Sequence, residues 1–170
     1  MRTSTFALVF GIIYLLVGFL GLIPAMLAPP PLDAPPTRFT PLYGYLLGLF
    51  PVNLLHTGVH LAIGIWGLAA WSGATSSVLY ARGLAIIYGV LAVMGLVPGL
   101  NTVFGLIPLH GHDIWLHAGT AAIAAYFGWR RGAVQADRRR NVTDRRHREA
   151  AVARERRTAI GDRRRDYMPA

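Results

Sequence analysis

The sequence predicts an all-α integral membrane protein, a four-helix bundle of two similar helical hairpins followed by an Arg-rich tail. Three observations carry this reading. Four long apolar segments alternate with turn-rich or proline-rich stretches, and 54% of the 170 residues are hydrophobic. Charge is segregated, with 14 Arg against Asp137, Asp144, Glu149, Glu155, Asp162 and Asp166 in residues 130–170. Residues 1–129 hold only Arg2, Arg38 and Arg82 against Asp33 and Asp113. Finally, landmarks of the first hairpin recur in the second.

The first segment, about 6–27, carries no charge. Its length at about 1.5 Å per residue gives roughly 33 Å, enough to cross a bilayer core. Arg2 ahead of an apolar run also fits a signal peptide. The run is too long for that, and Ala25-Met26-Leu27-Ala28 is a poor cleavage site, so a retained helix is expected. Pro29, Pro30, Pro31, Pro35, Pro36 and Pro41 then predict an extended, solvated loop.

Residues 42–50 are apolar but too short to span, which predicts an interfacial or shallowly re-entrant stretch with Tyr43 and Tyr45 at headgroup level. The second span covers about 52–71, and residues 72–77 read as a tight polar turn. The third covers about 78–97, with Arg82 near enough to its start to snorkel to the headgroups. Pro98 and Gly99 end it, a second loop follows, and the fourth span covers 113–129.

The domain plan is a transmembrane unit over 1–129 and a basic tail over 130–170. Mixed charge with few large apolar residues cannot build a core, so the tail reads as disordered or as a frayed helix around 144–158. Arg130, Arg131, Arg138, Arg139 and Arg140 are the expected contacts to anionic headgroups. By the positive-inside rule they put the C-terminus in the cytoplasm, and four crossings return the N-terminus to the same side. Nucleic acid is not an expected partner, because no aromatic residue interleaves with the arginines before Tyr167. Cysteine is absent, which removes disulfides, thiolate metal sites and cysteine nucleophiles.

The repeat is visible in order. Tyr14 precedes Gly21-Leu22-Ile23-Pro24, and Tyr88 precedes Gly95-Leu96-Val97-Pro98 at the same separation. Gly48-Leu49-Phe50-Pro51 and Gly105-Leu106-Ile107-Pro108 close the two outer loops, each ahead of a histidine-bearing helix. Such hairpins would be related by an axis along the membrane normal. Small residues such as Gly11, Gly64 and Gly67 would let helix backbones approach closely in lipid.

The polar residues of the spans are few. Asn53, His56 and His60 share one helical face, and Asp113 and His117 are one turn apart at the start of the fourth span. Polar groups in hydrocarbon are costly unless paired, so this stripe should face protein. The Asn53, His56 and His60 spacing, the Asp113 and His117 spacing, and the Gly-Leu-x-Pro sequence before each resemble a bacterial family of four-helix membrane proteins known only as a domain of unknown function. The resemblance covers about residues 6–129. It implies this fold and the bacterial inner membrane, and it carries no activity, substrate or cofactor.

Three uses of the stripe remain open. Asn53, His56, His60, Asp113 and His117 can hydrogen-bond across the hairpins and fix helix register. Alternatively, His56, His60 and His117, with or without Asp113, can bind a transition metal, or facing histidines can ligate haem b. The cluster can also contact a quinone or relay protons. No P-loop, dinucleotide fingerprint or nucleophile elbow occurs, so hydrolytic and phosphoryl-transfer chemistry has almost nothing to work with. The favoured expectation is a non-enzymatic structural, accessory or interaction protein, alone, as a homo-oligomer or in a larger membrane complex. A haem- or metal-binding redox component is the alternative.

Overall fold

The computed structural model describes residues 1–130, 142, 143 and 145–155. Helix α1 spans Thr3–Gly21, and a 3-10 turn over Pro24–Met26 leads into β1 (Leu27–Ala28). Strands β2 (Gly44–Leu46) and β3 (Phe50–Val52) precede α2 (Leu54–Trp71), α3 (Ala74–Leu96) and α4 (His112–Trp129). The chain is thus mostly helical with one small antiparallel sheet, ordered β1-β2-β3. Helices α1, α2 and α3 are long and apolar enough to cross a membrane. Helix α4 is not among them, since His112, Asp113 and His117 lower the hydropathy of its first half.

Three expectations need correction. The first helix stops at Gly21 and not near Leu27, because Pro24 cannot continue an α-helix and starts the 3-10 turn instead. Residues 42–50 contribute strands, so the fold is not purely helical. Left-handed residues Leu47 (φ 53°) and Gly48 (φ 73°) turn the chain back, so that Gly44 pairs with Val52 and Leu46 with Phe50. Pro51 is tolerated there because β3 is an edge strand. The polar turn before the third helix is also shorter than expected. Ser77 Oγ donates to the Ala70 carbonyl at 2.8 Å and Ser76 Oγ to the same carbonyl at 3.0 Å. Serines whose hydroxyls find backbone partners in this way sit within the first helical turn.

Helix α1 packs mainly on α2 and α3 mainly on α4, with smaller contacts of α1 and α2 to α3 and only slight ones between α1 and α4. Phe6, Tyr14, Tyr80, Leu84, Tyr88 and Phe127 form the interior. The outward faces are apolar instead of charged, with Leu16 58%, Val93 62% and Trp115 72% exposed. That inversion is the mark of a surface made for lipid.

At one end of the helices Thr3 Oγ1 donates to the Phe127 carbonyl at 3.3 Å, bringing the start of α1 to the end of α4. Arg82 was expected only to snorkel. Its Nε instead donates to the Gly128 carbonyl at 3.0 Å, and its guanidinium lies 5.5 Å from the Trp129 ring. It thereby satisfies an orphan carbonyl at the end of a neighbouring helix. At the opposite end the two long loops are joined, with the Arg38 and Phe39 amides both donating to the Gly105 carbonyl (2.8 and 3.1 Å).

Beyond α4, residues 142, 143 and 145–155 are helical and exposed, with Arg145 Nε 2.9 Å from Glu149 Oε1 one turn on. The Arg130 guanidinium lies 5.0 Å over the Phe127 ring. Arg131, Arg138, Arg139 and Arg140, expected at the headgroups, lie outside the described residues.

Candidate buried polar site

Helix α2 begins where it does because Asn53 caps it: the side-chain oxygen accepts the His56 amide at 2.9 Å. The Asn53 amide group donates to the Phe39 carbonyl at 3.1 Å and the Leu106 carbonyl at 2.7 Å. Asn53 therefore clips both outer loops onto α2 and is spent there, leaving nothing for the histidine stripe. Helix α4 starts after Gly111, whose φ of 65° and ψ of −133° suit glycine. That turn puts Asp113 into the first helical turn, facing inward.

His56, Asp113 and His117 meet. One ligand-capable atom from each lies within 4.8 Å of the other two, and the residues are 3%, 2% and 2% exposed. They come from different hairpins. His117 Nε2 is 3.5 Å from Asp113 Oδ2. His56 Nδ1 is 3.2 Å from the Pro51 carbonyl. A carbonyl only accepts, so this contact assigns the proton to Nδ1 and leaves a lone pair on Nε2. Such a backbone hydrogen bond is the usual support behind a metal-ligating imidazole.

His60 is the next layer. Its ring stacks 4.4 Å from that of His56, but it is not part of the three-residue group. Tyr14 covers His60 at 5.6 Å, Tyr88 covers His117 at 4.9 Å, and the two tyrosines face each other at 5.5 Å. Among the described residues, His60 Nδ1, His117 Nδ1 and Asp113 Oδ2 are buried without a hydrogen-bond partner. Native interiors satisfy nearly all such atoms, so three in one place point to a missing partner.

Tyr14 and Tyr88 entered the sequence reading only as repeat landmarks. Their equal placement in two apolar segments was the signal that they share a site. His110, in the second loop, is 8% exposed and its Nε2 lies 2.7 Å from the Tyr45 hydroxyl. Burial lowers the His110 pKa from 6.5 and pushes the Tyr45 phenol up to about 12.

A family model described as "Domain of unknown function (DUF4383)" matches residues 4–130, and the chain belongs to that family. No curated protein and no solved structure matches it.

Proposed function

Within that family, we propose that this chain is a four-span protein of the bacterial inner membrane, with both termini cytoplasmic, that holds one divalent transition-metal ion between its two hairpins. The observation that carries the metal reading is the meeting of His56, Asp113 and His117 at one buried point. Two imidazoles and a carboxylate suit a first-row ion such as Zn²⁺ or Fe²⁺. A tetrahedral site with bonds of about 2.1 Å has ligand separations of about 3.4 Å. The present 4.8 Å spread therefore closes by about an ångström on binding. A dication would also offset a carboxyl group buried to 2% exposure.

The register-fixing alternative calls for a network that satisfies itself, and the unpartnered atoms of His60, Asp113 and His117 argue against it. Haem b fits poorly, because His60 and Tyr88 pack on the two facing histidines where a macrocycle would lie. The protein acts as a binding component, and no catalysed reaction is assigned to it.

The duplication supports the four-span reading. The register that aligns Gly48–Pro51 with Gly105–Pro108 sets His56 against Asp113 and His60 against His117. Aligning Tyr14 with Tyr88 sets Thr3 against Ser77, and both hydroxyls donate to carbonyls of the partner-type helix, at Phe127 and Ala70. The single-sign charge after α4 orients the whole.

Two measurements test this. Reporter fusions at Gly132 and within residues 28–41 should report opposite sides of the membrane, and a shared side breaks the four-span plan. Elemental analysis of purified protein should give about one metal ion per chain, falling at least tenfold in Asp113→Asn. Stoichiometric absence after metal-supplemented expression rejects the metal reading.

A further inference from the structure

Where α1 packs only lightly on α4, a cleft of about 460 Å³ is left between them. Its size lies in the ordinary range for small-molecule sites. Phe10, Tyr14, Phe50 and Trp115 line it with aromatic rings, aliphatic side chains of α1, α4 and the β2–β3 hairpin complete the walls, and His60, Asp113 and Thr120 lie along it. His60 and Asp113 are 7% and 2% exposed, and His60 Nδ1 and Asp113 Oδ2 have no hydrogen-bond partner.

We infer that this cleft binds a neutral, planar-headed, lipid-soluble molecule of the quinone class. The tail of such a molecule suits apolar walls that continue into an outer surface made for lipid. Its ring suits four aromatic neighbours, which prefer stacked or edge-on partners over alkyl chains. Its carbonyl or hydroxyl oxygens suit the hydroxyls of Tyr14 and Thr120 and the open position on His60. A fatty acid fits less well, because its carboxylate would meet Asp113. A phospholipid headgroup fits less well, because no Arg lines the cleft. The inference stands apart from the metal reading, although Asp113 borders both sites.

Gly119 offers a clean probe. It lines the cleft, and a Cβ added there meets no atom within 4 Å, so Gly119→Leu starts its side chain in open space. Gly89, where an added Cβ also meets nothing and which does not line the cleft, serves as control. Binding of decylubiquinone to the full chain in phosphatidylcholine nanodiscs would be read by tryptophan quenching above bulk partitioning. Saturable binding is expected in the native chain and in Gly89→Leu, at least tenfold weaker in Gly119→Leu, and weakened in Tyr14→Phe. Partitioning without saturation, equal binding by the two leucine variants, or equal displacement by oleate overturns the inference. Metal content measured on the same samples separates the two sites: Gly119→Leu should keep its metal, and quinone binding by a metal-free native chain would defeat only the metal reading.

Discussion

In the α1–α2 hairpin, backbone meets backbone: a Cβ on Gly67 would lie 2.7 Å from Gly11 Cα, and one on Gly11 would lie 2.9 Å from Leu68 N. In the α3–α4 hairpin side chains share the contact. A Cβ on Gly95 would lie 2.8 Å from Ile114 Cγ1 as well as 2.7 Å from the Leu109 carbonyl oxygen, and one on Gly128 2.9 Å from the Arg82 Cγ. Small residues let helices close up where hydrophobicity cannot drive them together. The first hairpin uses that at Gly11 and Gly67, while its Gly18 and Gly64 face the side chains of Leu61 and Leu15. Helix α4 is only lightly packed on α1, which is where the cleft lies. The polar residues differ in the same way. Helix α2 contributes two imidazoles, whereas α4 contributes a carboxylate and an imidazole one turn apart. An all-imidazole pair of hairpins would be a ring stack. Replacing one member by Asp113 makes the assembly attractive to a cation.

The largest effect should separate the hairpins by packing. Gly67→Ala places its methyl group on the α1 backbone, and overpacking of this kind costs about 1–3 kcal/mol. Gly119→Ala, in open space, should change stability by less than about 0.5 kcal/mol. Thermal unfolding in detergent reads both, and equal midpoints for the two variants would remove the contrast.

The outer clip comes next. Asn53→Ala removes a helix cap, worth about 1–2 kcal/mol, together with the ties to Phe39 and Leu106. Proteolysis of the 28–51 loop should accelerate, while cleavage within the tail should not. Loop cleavage at the native rate would mean that the clip does not hold the loops.

The smallest effect is a pH dependence at the Tyr45–His110 pair. His110 has a folded pKa below its ordinary 6.5. The unfolded chain therefore binds the proton more readily, and stability falls as pH drops below about 6.5 toward the lowered value. His110→Gln should flatten the acid side of a stability–pH curve below about pH 6.5. An unchanged curve would show that other groups dominate there.

Much of this was legible because periodicity and punctuation speak for long apolar helices. The meeting of α2 and α4 residues follows from two polar stripes with nowhere else to go. The sheet was not legible. Strands of two or three residues have no periodicity to read, and the turn at Leu47 relies on a positive φ that leucine does not advertise. The role of Asn53 was misread for a related reason. Face-sharing places it with His56, but a cap residue has left helical geometry, so its side chain points along the helix end and not down the stripe. Arg82 looked like an anchor because a sequence shows its depth and not the carbonyl at the end of another helix.

The central claim is that the two hairpins converge on a single metal ion, and a double-mutant cycle on metal affinity addresses it most directly. Zn²⁺ affinity would be measured for the native chain, His56→Gln, His117→Gln and the double variant. Ligands of one ion act as a unit, so each single change should weaken binding at least tenfold. The double change should depart from the sum of the two by more than about 0.5 kcal/mol, the limit within which independent sites add. Additive losses, or native affinity in both single variants, would contradict convergence and leave the cluster as packing between helices.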